Sequence, residues 1–209
     1  GDRPVRAPQI AALQDEDLDV TGAAGDISRP TEAEVMVTTA VKAMGGLDYL
    51  VNNAATAATR LPIPMSDFDA MTEDFWQKIL NTNLIGTHRC VKAAAPHLKA
   101  RRGAVVNLAS TSAHNARGSS LAYATAKAGL EGAAATLTKE AMFYGVRCGI
   151  IHPGFTDTPM VRALGEEYIE KLRSLEKSSD RSTPRGREKL NALKREALLA
   201  NPLLDDLEI

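Results

Sequence analysis

The chain has 209 residues, a formal net charge of -1, and 44% hydrophobic and 24% charged residues, as expected for a globular domain that buries a core. The near-neutral charge argues against a nucleic-acid partner, which usually requires a basic surface. No apolar run reaches the roughly 20 residues that cross a bilayer, and the N-terminal "GDRPVRAPQI" lacks the apolar core of a secretory signal. These features predict a cytoplasmic protein with no membrane partner.

Along the chain, short apolar runs alternate with longer stretches of helical periodicity from residue 26 onward. Residues 1–25 contain one possible short strand and no convincing helix. The predicted helices and strands alternate in the order helix 31–44, strand 47–55, helix 71–100, strand 103–110, helix 119–144 and strand 146–154. Helices long enough to act as crossovers predict an α/β fold, in which a parallel sheet carries helices on both faces.

Beyond Met160 the chain is rich in charged residues, leucine and alanine. Residues 161–201 are predicted to form two amphipathic helices separated by an exposed loop, "EKSSDRSTPRG". The two cysteines, Cys90 and Cys148, fall in a predicted helix and a predicted strand without CxxC spacing, so both are expected to be buried reduced thiols. No metal site is predicted.

Small and polar residues follow all three predicted strands. They are the segments Asn52-Asn53-Ala54-Ala55, Ser110-Thr111-Ser112 and Pro153-Gly154. Open parallel sheets bind ligands beyond the carboxyl ends of their strands, so this edge is the predicted site. In the following helix, "LAYATAKAGL" places Tyr123 and Lys127 four positions apart and hence on one helix face.

Four motifs together resemble the short-chain dehydrogenase/reductase family: "NNAA", "NLAS", "YATAK" and "HPGFTDTPM". Their order and spacing match the family over residues 26–160. The resemblance implies a Rossmann-like doubly wound parallel sheet in a single domain, 1–209, with a helical substrate-lid and C-terminal region at 161–209. It also implies an NAD(P)-dependent oxidoreductase that interconverts a small-molecule secondary alcohol and a ketone.

The family roles transfer to four residues of this chain. Tyr123 would be the general acid/base, and Lys127 would favour its phenolate and hydrogen-bond the nicotinamide ribose. Ser110 would hold the substrate oxygen, and Asn83 would position a water that connects Lys127 to a proton relay. Taken singly, each also has a structural explanation: a packed aromatic ring, a surface lysine, a strand-end cap and a solvent-facing helix residue.

The resemblance further implies cofactor contacts along the same edge. Tyr123 and Lys127 would contact the nicotinamide half. The other implied cofactor residues are Asp26 and Ile27 at the adenine, Asn53 and Ala54 at the adenine ribose, and Pro153, Gly154, Thr156 and Thr158 around the nicotinamide. Asp26 could instead cap a turn, and His152 is expected to be structural. The choice between NAD and NADP stays open.

The family's glycine-rich turn, TGxxxGxG, has only the look-alike "VTGAAGDIS" in this chain. Asp26 and Ser28 occupy the positions of its second and third glycines, and an aspartate there would repel a pyrophosphate. About 30 positions separate Gly22 from Asn52, too few for the further strands that the fold requires. We therefore assign "LDVTGAAGD" (18–26) to the third strand of the family fold.

The sheet predicted from this sequence is accordingly incomplete, without the first two strands and the final strand of the family. Three explanations stay open: segments absent from the sequence, a truncated non-catalytic relative that serves as an interaction or assembly protein, or strands supplied by a partner chain. The family also implies a homodimer or homotetramer, and the small residues of "AGLEGAAATL" would allow close helix packing between subunits.

Overall fold

The computed structural model describes residues 7–59, 63, 67–114 and 120–154. Two compact units divide the chain, one of residues 1–59 and 63–153 and the other of 60–62 and 154–209. The elements described here belong to the first unit. The predicted helices of 161–201, the lid, Thr156 and Thr158 lie outside the described residues.

The elements follow one another in the alternating order that the sequence predicts. They are α1 (Ala7–Asp15), α2 (Pro30–Met44), β1 (Tyr49–Asn52), α3 (Glu73–Leu80), a π-helical segment (Asn81–Gly86), α4 (Thr87–Arg101), β2 (Ala104–Leu108), a 3-10 turn (Thr111–Ala113), α5 (Leu121–Met142) and β3 (Arg147–Ile151). All three predicted strands and all three predicted crossover helices are confirmed. None of the described helices is long and apolar enough to span a membrane.

The three strands form one parallel sheet in the order β1-β2-β3. Tyr49 pairs with Ala104, which pairs with Arg147, and at the other end Asn52 pairs with Asn107, which pairs with Ile150. Because the strands are parallel and start in register, their carboxyl ends meet at one edge. The loops that follow the strands therefore lie side by side, as a site at this edge requires.

One face of the sheet forms the main core. Leu50, Val105 and Cys148 are neighbours across the three strands and share that face. They join an apolar cluster with side chains from three helices: Val37 and Val41 of α2, Cys90, Ala94 and Leu98 of α4, and Ala141 of α5. Cys90 is buried and Cys148 half-buried, and both are free thiols as predicted.

The other face of the sheet remains open within the described part of the chain. Tyr49, Val51 and Ile151 project from it with 69%, 58% and 53% of their surfaces exposed. Large apolar side chains at such exposure mark a surface on which further structure would pack. The three-stranded sheet is thus the incomplete Rossmann-like sheet that the sequence predicts.

Two expectations for the N-terminal region are wrong. Residues 7–15 form a helix, consistent with the strong helix propensity of alanine, leucine and glutamine. Residues 18–26 form no strand, and among the described residues nothing pairs with the outer edge of β1. The two glycines and two aspartates of this segment have low strand propensity, which favours irregular backbone there.

Candidate active site

The carboxyl edge of the sheet is tied together by backbone and side-chain hydrogen bonds. Asn52 Nδ2 donates to Asn107 Oδ1 at 2.8 Å across β1 and β2. Beyond the last strand pair, the Ala109 N–H donates to Ile151 O at 2.8 Å and the Thr111 N–H donates to Pro153 O at 3.0 Å. The segments that carry Ser110 and Pro153 are therefore held together.

Tyr123 lies in the first turn of α5, facing this edge. Its backbone N–H donates to the side chain of Ser120, the N-cap of the helix, at 3.2 Å. The half-buried ring packs on a cluster formed by Ile79, Ala122 and Ala126. The alanines leave room for the ring beside α3, which fixes the position of the phenol.

The electrostatics of Tyr123 differ from the sequence expectation. Burial raises the pKa of the phenol, and a hydrogen bond with the Ser110 side chain lowers it only in part. The net direction is a raised pKa and not the expected lowered one, because desolvation of the phenol disfavours its phenolate. Tyr123 is therefore a protonated phenol at neutral pH, bonded to Ser110.

Lys127 is buried, with only 3% of its surface exposed. Its Nζ donates to Leu108 O at 2.7 Å and lies 5.6 Å from the centre of the Tyr123 ring. Burial lowers the pKa of Lys127 to about 8. Both the burial and the contact with the end of β2 exclude the alternative of a surface lysine.

Asn83 is completely buried in the π-helical segment. Its Oδ1 accepts from the Thr56 N–H and its Nδ2 donates to Thr56 O, both at 2.8 Å. The side chain thus replaces a strand partner for the loop after β1 and holds that loop against the helix. It is not a solvent-facing helix residue, and both ends of its amide are engaged.

Ser110 follows β2 in extended conformation and caps the 3-10 turn, its Oγ accepting from the Ser112 N–H at 3.1 Å. Ser110 therefore acts as a strand-end cap, which was the structural explanation for this residue. The same side chain also bonds Tyr123, so its position is fixed from two sides. A substrate oxygen placed beside Ser110 would lie beside the phenol as well.

An open groove of about 1170 Å³ lies along the loops that precede α2 and follow β1. Asp26, Ile27 and Ala54 are among the residues that line it. Asp26 also caps its turn, because Oδ1 accepts from the Ser28 N–H at 2.8 Å. Hydrogen bonds from the Ser28 side chain and backbone lower the pKa of Asp26 and keep it ionised.

The structure describes only some of the other predicted cofactor residues. Asn53 is exposed, and its N–H donates to Val51 O at 3.2 Å in a tight bend. Pro153 lies next to the Ser110 segment through the bond from Thr111. Gly154 belongs to the second compact unit, and Thr156 and Thr158 are not described.

Arg89 is a positioning residue that the sequence analysis missed. Its Nη1 donates to Ile27 O at 3.1 Å, to Ser28 O at 2.9 Å and to Asn81 O at 3.3 Å. These bonds fasten the Asp26 loop to the helices of the following crossover. The sequence shows only an arginine within the predicted helix 71–100. Its hydrogen-bond acceptors are backbone carbonyl oxygens, which no sequence motif identifies.

Gly86 allows the same loop to approach. A Cβ at this position would lie 2.9 Å from Ile27 O and 2.9 Å from Ile27 Cγ1. Any larger residue would therefore push the Asp26 loop away from the π-helical segment. Gly86 and Arg89 together set the position of the Asp26 loop, which lines the groove.

Comparison with known proteins assigns the chain to a family. The profile of the family described as short chain dehydrogenase matches residues 4–169. The short-chain reductase protein NovJ of Streptomyces niveus is 32% identical over 179 residues, which cover 85% of this chain and 66% of NovJ. The 3-oxoacyl-[acyl-carrier-protein] reductase FabG of Staphylococcus aureus is 27% identical over 78% of this chain and 64% of FabG.

A solved structure shows the same fold. The crystal structure of a short chain dehydrogenase from Burkholderia cenocepacia in complex with NADP superposes with a TM-score of 0.69 at 29% identity, covering 81% of this chain and 66% of that chain. The chain spans between about half and two thirds of the length of the curated relatives it matches. The fold, the strand-end motifs and the profile match agree, and the chain belongs to the short-chain dehydrogenase family.

Proposed function

We propose that the protein is an NAD(P)-dependent oxidoreductase that interconverts a secondary alcohol and a ketone. The observation that carries the proposal is the bonded pair of Tyr123 and Ser110 beside the buried ammonium of Lys127, at the carboxyl edge of the sheet. Burying a lysine is costly unless its charge is used or paired. A proton-transfer site explains why the chain tolerates that cost.

The residues present fit two parts of a dinucleotide. The groove beside Asp26, Ile27 and Ala54 has room for an adenosine, and the ionised Asp26 carboxylate is an acceptor for the adenine amine. Lys127 carries three N–H donors, and Leu108 O accepts from one of them. The ammonium can therefore also donate to a ribose hydroxyl at the nicotinamide end.

When bound, the reduced nicotinamide supplies a hydride to the carbonyl carbon of the substrate. Ser110 Oγ donates a hydrogen bond to the carbonyl oxygen and holds it beside Tyr123. The phenol of Tyr123 then gives its proton to that oxygen as charge develops there. Lys127, whose pKa of about 8 leaves it largely protonated at neutral pH, stabilises the phenolate that results.

At neutral pH the Tyr123 phenol carries its proton. A protonated phenol can act as the acid that ketone reduction needs, whereas oxidation of an alcohol needs it as a base. The relatives point the same way, since NovJ and FabG are both named reductases. We therefore propose ketone reduction as the working direction, with a 3-oxoacyl compound among the candidate substrates.

The small-residue surface of α5 supports a homodimer or homotetramer as a second part of the proposal. Gly132 and Ala133 are exposed on this helix, and a Cβ added at Gly132 would meet no atom within 4 Å. Small exposed residues let a second helix approach closely. Among the described residues this position is open, as docking of a second subunit would require.

An assembly role without catalysis is the alternative that the open sheet face favours. Tyr49, Val51 and Ile151 offer an apolar surface to a partner. This function requires neither a dinucleotide nor Tyr123. Dinucleotide binding therefore separates the two candidates.

We expect calorimetric titration of the 209-residue chain to detect binding of NADH or NADPH. Asp26→Ala should weaken that binding by about tenfold, because it removes one charge-assisted hydrogen bond to the adenine. Asp69→Ala, which removes an exposed carboxylate elsewhere in the first unit, should leave the affinity unchanged. A folded chain that binds neither dinucleotide would favour the assembly role.

A further inference from the structure

Three ligand-type side chains from separate segments converge beside the Ser110 turn. His114 follows the 3-10 turn, Glu131 lies in the middle of α5, and His152 follows β3. Glu131 Oε1 lies 3.3 Å from His114 Nε2 and 3.5 Å from His152 Nδ1. The ligand atoms of all three residues lie within 4.8 Å of one another.

One oxygen of the carboxylate at the centre of this cluster has no hydrogen bond from the described residues. Glu131 Oε1 is buried and is without a hydrogen-bond partner among the described residues, although two imidazole nitrogens are close to it. A buried acceptor left in this state destabilises the folded chain. Glu131 Oε1 therefore needs a positive charge or a hydrogen-bond donor, at the point where both imidazole rings approach it.

A metal ion satisfies that requirement and matches the spacing. Zinc binds nitrogen at about 2.0–2.1 Å and carboxylate oxygen at about 2.0–2.2 Å in tetrahedral geometry, so two of its ligands lie about 3.3–3.5 Å apart. The two separations measured from Glu131 Oε1 fall in this range. Imidazole and carboxylate together are also a donor set that zinc prefers.

We propose that His114, Glu131 and His152 bind a divalent first-row cation of the zinc type. The protein supplies three ligands, and because the His114 side chain is 62% exposed, water reaches the fourth position. The ion would join the segment after Ser110 to α5 and to the end of β3. It is a structural clamp on the loops of the edge and does not depend on the proposed dinucleotide chemistry.

The site touches the Ser110 segment directly. His152 Nδ1 also lies 3.3 Å from Ser110 O, to which it can donate only while it carries a proton. A metal ion on Nδ1 requires that nitrogen to be free of its proton. The ion and the Ser110 carbonyl are therefore alternative partners of His152.

The test is calorimetric titration of the tag-free, chelator-treated chain with zinc chloride. We expect one ion per chain, with His114→Ala and Glu131→Gln each weakening binding by at least about tenfold, since loss of a direct ligand costs no less than loss of an outer partner. His88→Ala and His97→Ala, which remove imidazoles on α4, should bind zinc like the unaltered chain. Zinc should also raise the melting temperature of the unaltered chain and not that of His114→Ala.

The control for folding is the far-UV circular dichroism spectrum of each variant, recorded without zinc. His114 is exposed and Glu131→Gln preserves size, so both variants should match the unaltered chain. Zinc binding that survives in both folded variants, or that is lost equally in the two α4 variants, would overturn the proposal. So would an unaltered chain that binds no zinc.

Discussion

Tyr123→Phe is expected to lower ketone-dependent turnover by roughly 10²- to 10⁴-fold, the range for loss of a positioned general acid. The substitution removes the hydroxyl that bonds Ser110 and keeps the ring that packs on Ile79 and Ala122. Dinucleotide affinity should change little, because the buried Lys127 ammonium stays in place. Turnover is measured as ketone-dependent oxidation of the reduced dinucleotide, and affinity by calorimetry.

The matched control for this substitution is Tyr144→Phe. Tyr144 is exposed after α5, with the Lys99 ammonium 3.6 Å from its ring centre, and it is remote from the proposed proton transfer. Its variant should keep full turnover. If Tyr123→Phe instead retained more than about a tenth of the turnover, the acid role assigned to Tyr123 would be wrong.

The second large effect is expected from Lys127→Met, which removes the buried ammonium. Turnover should fall by about 10²-fold or more, because the phenolate of Tyr123 loses its neighbouring cation. Dinucleotide affinity should fall in the same variant, which distinguishes it from Tyr123→Phe. Lys139→Met, at an exposed position of the same helix, is the control and should affect neither quantity.

Lys127→Met should also change how stability depends on pH. The folded-state pKa of about 8 lies below the ordinary 10.5, so the folded chain binds fewer protons than the unfolded chain between these values. The free energy of unfolding contributed by Lys127 therefore rises with pH through this window. Between pH 7 and pH 9.5 the unaltered chain should gain about 2 kcal/mol relative to Lys127→Met.

Urea denaturation at several pH values measures this difference. The raised pKa values of the two cysteines act on both proteins alike and cancel in the comparison. The pKa of Tyr123 is raised from 10.0 and therefore lies above the pH range compared. Lys139→Met should follow the unaltered chain over the whole range. Parallel pH profiles for the unaltered chain and Lys127→Met would contradict the assigned burial of the ammonium.

The sequence was sufficient to predict the parts of the fold that local pattern determines. The apolar runs ending at Asn52, Leu108 and Ile151 are strands, and the helices between them have the predicted order. The Tyr123 and Lys127 pairing was predicted because helical periodicity alone places i and i+4 on one face. The burial of these two residues was not predicted, because it depends on the packing of α5 against α3 and the end of β2.

Features that depend on distant partners could not be predicted in the same way. Residues 18–26 were assigned to a strand from the resemblance to the family, yet they form none in the structure. The contacts of Arg89 are to backbone carbonyls, and those of Asn83 are to Thr56 in another loop. His114, Glu131 and His152 belong to three separate elements, so no sequence motif joins them.

The proposed reaction is hydride transfer from a nicotinamide to a ketone, with Tyr123 supplying the proton. The measurement is incubation of the 209-residue chain with NADH and NADPH that carry deuterium at both C4 positions, and with aliphatic, aromatic and 3-oxoacyl ketones. Mass spectrometry then measures the deuterium content of the product alcohols. We expect an alcohol that carries one deuterium from one of the two dinucleotides, at a yield that Tyr123→Phe nearly abolishes. A folded chain that gives no deuterated alcohol, or gives as much with Phe at position 123, would contradict the claim.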